Sequence, residues 1–267
     1  MKVVLFCGGQ GTRLRDYSET VPKPLVEVGS RPILWHLMKY YAHFGHKEFI
    51  LCLGHGAAKI KEFFLKYDEC VSNDFVLASG GRELKLLHKD IDDWRITFVD
   101  TGLHTSIGQR LRQVRQHLGN DEMFLANYAD GLSDLDLAEY VDRFRKRNKI
   151  ASFVSVNAPH TFHIVHTDVQ ELVTSLELVA ESRVRINGGF FALRREIFEY
   201  LGPDEDLVLQ PFARLMGERQ LVAVAYDGFW RNMDTFKDKM VLDDMVARGN
   251  VPWQVWNYPP VSVAERP

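Results

Sequence analysis

The chain has 267 residues, 46% hydrophobic and 26% charged, with 33 Lys+Arg against 36 Asp+Glu and a formal net charge of −3. A chain of that length buries a sizeable core, and its near-even charge gives no general electrostatic case for nucleic acid or an anionic membrane. Its three scattered cysteines lack a Cys-x-x-Cys pair, which argues against structural zinc. With no signal-type leader and no apolar span of about 18 residues, a reducing, cytoplasmic setting is expected.

Lys2-Val3-Val4-Leu5-Phe6 reads as a buried parallel strand. Cys7-Gly8-Gly9-Gln10-Gly11-Thr12-Arg13-Leu14 follows as a tight turn whose glycines let backbone amides approach an anion. Arg13 adds a permanently charged fork suited to phosphate, and Pro22-Lys23-Pro24 holds a lysine between two restricted residues. The turn lacks the final glycine of a dinucleotide fingerprint, and no Walker pattern is present. A phosphate-gripping loop followed by a pinned lysine is the skeleton of a nucleotide-using enzyme.

Apolar spacing predicts helices over 33–44, with Pro32 in the first turn, and over 57–67, 109–118 and 137–148. Strands are predicted over 48–53, 75–77, 96–100 and 123–128, with 84–87 a weaker candidate. Beyond residue 150 the texture changes to short strands over 151–156, 162–165, 173–176, 187–193 and 221–225. The reading is one continuous domain, its half to about 150 binding nucleotide and its half 151–250 binding a second ligand. The Pro- and Trp-bearing stretch 251–267 is expected to cross the surface or pack on a neighbour.

Asp130 ends an apolar strand, where carboxylates in open α/β sheets face the ligand crevice. Read alone it equally fits a turn aspartate before glycine, and Asp234 equally fits a helix N-cap. Thr105-Ser106-Ile107-Gly108-Gln109-Arg110 reads as a helix N-terminus, itself a natural anion donor. His160, His163 and His166 recur every third residue, which alternates faces in a strand and does not converge on one metal.

Gly8-Gly9-x-Gly11-Thr12-Arg13-Leu14 with Pro22-Lys23-Pro24-Leu25 resembles the signature of the sugar-phosphate nucleotidyltransferases. Arg31-Pro32-Ile33-Leu34-Trp35-His36, Val99-Asp100-Thr101-Gly102, Ile186-Asn187-Gly188-Gly189 and Gly228-Phe229-Trp230 through Met233-Asp234-Thr235 extend the likeness to the glucose-1-phosphate cytidylyltransferases. The resemblance implies a three-layer α/β/α, Rossmann-like fold with a mixed central sheet. It implies transfer of CMP from CTP to a sugar 1-phosphate, giving a CDP-sugar and pyrophosphate, in a homo-oligomer.

It further implies nucleotide binding by Phe6, Cys7, Gly8, Gly9, Gln10, Gly11, Thr12, Arg13, Lys23, Thr105, Gly108, Arg110 and Ala129. Arg13, Lys23 and Asp130 would be catalytic, with Mg²⁺ held by Asp130 and Asp234. The acceptor side would use Asn187, Gly188, Arg185 and Gln210. Here the chain departs from the pattern: Leu178 stands where the family has a phosphate-clamping lysine, His163 and Gln210 replace a glycine and a glutamate, and Gln109 replaces a second glycine. Losing one ammonium from a phosphate site costs roughly 1.5–3 kcal/mol, which Arg183 or Arg185 could offset. The departures leave open another sugar phosphate, a non-sugar phosphate, or a catalytically weak nucleotide-binding regulator.

Overall fold

The computed structural model describes residues 1–9, 11, 21–87, 90–158 and 162–257. The β-branched run Val3–Phe6 forms β1, buried at every position. β2 (Glu48–Leu53), β3 (Arg95–Asp100) and β4 (Met123–Tyr128) join it in parallel, with Phe6 opposite both Cys52 and Tyr128. The sheet continues through β5 (Ala151–Asn157), β6 (Arg185–Asn187), β7 (Phe191–Arg194) and β8 (Leu221–Tyr226). β7 is antiparallel to β4 and β5, β6 is antiparallel to β5, and β8 is parallel to β5. The result is a mixed sheet of eight strands.

Both faces of that sheet are covered. Val3, Leu5 and Cys7 point into one apolar cluster, while Val4 and Phe6 point into the other, as strand alternation requires. The helices of two turns or more among the described residues are α1 (Ile33–His43), α2 (Ala57–Leu65), α3 (Ile107–Val114), α4 (Leu137–Arg147), α5 (Gln210–Gly217) and α6 (Phe236–Ala247). Leu37, Ile60, Phe144 and Leu242 bring α1, α2, α4 and α6 onto the first face. Leu111 and Leu215 bring α3 and α5 onto the second. This is the three-layer α/β/α arrangement.

Four local readings change. The strand expected over 187–193 is broken in two, because Gly189 (φ 76°) and Phe190 (φ 51°) both adopt left-handed backbone. Asn187 Oδ1 accepts from Gly189 N and Asn127 Oδ1 from Phe190 N, both at 2.9 Å, so the kink keeps its hydrogen bonds. The helix expected over 109–118 starts earlier, capped by Ser106, and tightens to a 3₁₀ turn at Arg115–Leu118. Helix α6 is capped by Thr235 in a capping box with Asp238, so Asp234 is released from the capping role. Finally, α5 was not foreseen; Pro211 sits in its first turn.

Two ribbons stand apart from the main sheet, Phe75–Ala78 with Glu83–Leu86 and His163–Thr167 with Val173–Leu178. Leu77 pairs with Leu84 and Val165 with Leu176, and all four side chains are exposed. His163 and His166 fall on opposite faces, as their spacing predicts; His160 lies outside the described residues. No helix among the described residues is long and apolar enough to cross a membrane.

Of the stretch 251–267, residues to 257 are described, and Trp253 docks in the interior against Phe229 and His36. His36 Nε2 donates to Val28 O at 3.0 Å, and its Nδ1 accepts from Trp253 Nε1 at 3.4 Å. A proton on Nδ1 would face the indole N–H, donor against donor. Burial, with a smaller push from Arg31, lowers the His36 pKa from 6.5 to about 4, against the opposing bond to Val28. The unfolded chain therefore takes up this proton first, and stability is lost as pH falls from 6.5 toward 4. Urea unfolding across that window should show a shallower pH dependence in His36→Gln than in the wild type; parallel curves would disprove the assignment.

Candidate active site

The C-terminal ends of the parallel strands open onto a cavity of about 420 Å³. Its charged floor is assembled by a short ladder. Gly131–Ser133 pairs antiparallel with Trp230–Asn232, setting Gly131 opposite Asn232, and Met233 N donates to Asp130 O at 3.0 Å. That pairing brings Asp130 and Asp234, more than a hundred residues apart, to one point. Lys23 reaches the same point from a single 3₁₀ turn, Lys23–Leu25, between Pro22 and Pro24. Its ammonium donates to Asp130 Oδ2 at 2.5 Å and to Asp234 Oδ1 at 2.6 Å. Burial works against the Lys23 charge, but the two carboxylates outweigh it and lift its pKa above 10.5. The lysine remains an ammonium throughout the neutral range.

The cavity's second charged group lies beneath the glycine turn. Arg110 is 4% exposed and spends its N–H groups on Leu53 O (3.0 Å), Thr101 Oγ1 (2.7 Å), Thr105 O (3.1 Å), Gly8 O (3.2 Å) and Leu103 O (3.4 Å). Among the described residues no carboxylate lies within ion-pair distance of it, and burial lowers its pKa. Its charge is thus uncompensated at contact range, directly under a turn suited to anions. Gly8 is required for this reason: a Cβ there would lie 2.0 Å from Arg110 Nη1. At Gly9 a Cβ would meet nothing within 4 Å.

Phe6, Cys7, Tyr128, Ala129 and Asp206 complete much of the wall. Burial, followed by the charge of Asp206, pushes the Tyr128 phenol up to about 12. Burial raises the Cys7 thiol well above its ordinary 9.0, so it is a wall residue rather than a nucleophile. A cavity with three carboxylates, two of them paired with one ammonium, and a buried guanidinium under a glycine turn can bind a polyanion and a cation together.

Residues 2–231 match the nucleotidyl transferase family, and the chain is 35% identical to the glucose-1-phosphate cytidylyltransferase of Salmonella typhi over 257 residues, covering 96% of this chain and 100% of that enzyme. The chain belongs to the nucleotidyl transferase family. It is also 26% identical to the D-glycero-α-D-manno-heptose 1-phosphate guanylyltransferase of Campylobacter jejuni, over 79% of this chain and 84% of that one. In fold it is similar to UDP-glucose pyrophosphorylase complexed with UDP-glucose, with a TM-score of 0.68 at 12% identity, covering 93% and 98% of the two chains.

Within this nucleotidyltransferase, Phe6, Cys7, Gly8, Gly9, Gly11, Lys23, Thr105, Arg110, Ala129, Asp130 and Asp234, among the residues singled out from sequence, are brought together in the cavity wall. Gln10, Thr12 and Arg13 lie outside the described residues. Gly108 does not line it; its Cα packs on the 201–206 loop, where a Cβ would come within 2.4 Å of Glu205 O. The acceptor residues also lie elsewhere. Arg185 is held by Asp227 and by Ser155 O at 2.9 Å, and Gln210 Oε1 accepts from Asp206 N at 3.3 Å. Asn187 reaches the edge of the site through Tyr128 Oη at 3.4 Å, while Gly188 O accepts from Trp230 Nε1 at 2.8 Å.

Pro24, Leu103, Ser106, Ile107, Tyr128 and Asp206 are wall residues that the sequence reading missed. Ser106 carried a signal, as the helix cap beside Thr105; Asp206, in an irregular loop, carried none. The two glycines make a paired prediction. Gly8→Ala should cost about 1–3 kcal/mol of stability by displacing Arg110, whereas Gly9→Ala should leave the melting temperature within a degree or two and weaken nucleotide binding. Thermal melts with and without nucleoside triphosphate check both; equal melting temperatures for the two variants would contradict the Arg110 argument.

Proposed function

We propose that this nucleotidyltransferase moves a cytidylyl group from CTP to a sugar 1-phosphate, with glucose 1-phosphate the first choice, releasing pyrophosphate and forming a CDP-sugar. The observation that carries the reading is the meeting of Lys23, Asp130 and Asp234 at one point below the glycine turn. Full-length similarity to a cytidylyltransferase supports the choice of nucleotide.

The residues present fit magnesium. Two carboxylates from separate segments already share one cation, the Lys23 ammonium, and a two-carboxylate site leaves positions for phosphate oxygens and water. Asp130 and Asp234 would hold the ion, which when bound supplies charge neutralisation at the phosphoryl oxygens. The chain's own groups do the rest. Lys23, permanently charged, takes triphosphate oxygens, aided by Arg13, and Arg110 adds a fixed positive field beneath them. A sugar phosphate oxygen is already ionised near neutrality, so no strong general base is required. It attacks the α-phosphorus in line and pyrophosphate leaves, with catalysis by placement and charge.

A second acceptor is favoured by one observation. Arg185, one of the two arginines offered as a replacement for the ammonium missing at Leu178, is paired with Asp227. A different sugar phosphate or a non-sugar phosphate is therefore the alternative. We further infer a homo-oligomer, because the ribbons 75–86 and 163–178 expose paired apolar side chains. A reducing, cytoplasmic location suits the exposed free thiol of Cys70.

The test is pyrophosphate release with CTP, Mg²⁺ and α-D-glucose 1-phosphate beside a panel of other phosphates. Turnover with glucose 1-phosphate supports the full reading; turnover only with another phosphate moves the acceptor, and silence with CTP binding retained would make the chain a regulator. Asp130→Asn and Asp234→Asn should each lower kcat/KM by about two decades or more. Lys23→Met should do likewise, and a fall of less than threefold in any of the three would remove that residue from the site.

A further inference from the structure

The 201–206 loop is fastened to helix α3 more firmly than a surface connection requires. Ser106 Oγ donates to Glu205 O at 2.7 Å and Arg112 Nη1 to Leu201 O at 3.0 Å, while the Gln109 amide donates to the Asp204 carboxylate. Gly108 seats the loop directly on the helix, since no Cβ fits beside Glu205 O. Glu205 is held in turn by Gly202 N at 2.7 Å and by Arg214, and Gln210 Oε1 accepts from Asp206 N. The consequence is that one side chain, Asp206, is fixed in the cavity wall near Tyr128.

Only half of that carboxylate is occupied. Asp206 Oδ1 accepts from Val208 N at 3.0 Å, whereas Oδ2 has no hydrogen-bond or ion-pair partner among the described residues. An unpaired carboxylate repels a triphosphate, whose charge is met instead by Lys23, the glycine turn and the fixed field of Arg110. What Asp206 can accept from is a neutral donor, and a cytidine nucleotide offers the exocyclic amine of its base and the ribose 2′-hydroxyl. The amine also gives a reason for selectivity, because uracil would turn a carbonyl oxygen toward the same carboxylate.

Resting on the proposed use of CTP, we propose that Asp206 is a specificity-determining residue whose Oδ2 accepts a hydrogen bond from a neutral donor of the bound nucleoside. The loop anchors from α3 are its positioning residues, and Gln109, Gly108 and Gln210 act through it rather than on the substrate.

Calorimetric titration of the full chain with CTP, UTP and dCTP in Mg²⁺ tests this without any acceptor. Asp206→Ala should weaken CTP binding roughly 10–100-fold. If the amine is the donor, UTP affinity does not fall and the CTP:UTP preference shrinks; if the ribose 2′-hydroxyl is the donor, dCTP stays unchanged and the CTP:dCTP preference shrinks. Asp206→Asn has one acceptor oxygen, which Val208 N holds, so its amide N–H₂ faces the nucleoside. In the amine case it should fail to restore CTP affinity and should gain UTP through a donor to uracil O4; in the hydroxyl case it should restore CTP affinity in part by donating to the hydroxyl oxygen. Unchanged CTP affinity, or equal losses for all three nucleotides, would overturn the proposal, the latter by showing only a loop defect. Should the wild type prefer another triphosphate, the CTP reading fails first. Asp206 is then judged on that nucleotide and its deoxy form, where an unchanged preference ends the proposal.

Discussion

The constraint on which the site depends is the burial of Arg110. A guanidinium cannot shed its charge, so every N–H removed from water must find an acceptor or cost about 1–3 kcal/mol. The chain supplies those acceptors from the end of β2, from the 101–105 loop and from Gly8. Satisfying one side chain thereby sets the spacing between the glycine turn, two neighbouring strand ends and helix α3. It also dictates small residues around it: a Cβ at Gly54 would meet Gly102 O at 2.7 Å, Gly8 O at 2.8 Å and the guanidinium itself at 3.0 Å. Gly8 and Gly54 are thus needed by the protein's interior, whatever binds in the cavity.

A complementary arrangement governs the opposite charge. Asp130 and Asp234 would repel each other if left together in a half-buried crevice, and Lys23 resolves this as an internal counter-cation. The pairing is not a stability device in the usual sense, since the desolvation of three charges offsets much of their attraction. On the proposed function, a divalent ion taken up by the two carboxylates would relieve the lysine of its partners and free an ammonium for phosphate. Arg110 is locked to backbone carbonyls and the Thr101 hydroxyl while Lys23 is held by two carboxylates, so one cation preorganises the cavity and the other can exchange partners.

Much of the fold was legible because local pattern and tertiary fate agreed. The run before Cys7 is apolar on both alternations, as a strand covered on both faces must be, and it became the sheet's central parallel strand. Legibility failed where a backbone conformation was imposed from outside. Phe190 adopts φ 51° although nothing in its own chemistry favours it; Asn127 from another strand supplies the bond that holds it there. Helix α5 was missed because its apolar stripe is short and its acidic approach resembles a loop. On the acceptor side one partner could not be read from sequence: Arg185 looks like a free phosphate ligand in one dimension, and its ion pair with Asp227 is seen only in three.

The sequence by itself determined the parallel sheet, the phosphate-seeking turn, the pinned lysine and the two carboxylates, because each is a property of residue type at short spacing. Tertiary structure alone decided that Asp234 leaves helix capping to Thr235 and joins Asp130, since the pairing of Gly131–Ser133 with Trp230–Asn232 spans about a hundred residues of chain. It alone decided that Arg110 faces inward rather than to solvent, and that Asp206 reaches the cavity. Charge tells what a side chain can do; which charges meet is set by strand pairing and helix docking, and no local pattern encodes them.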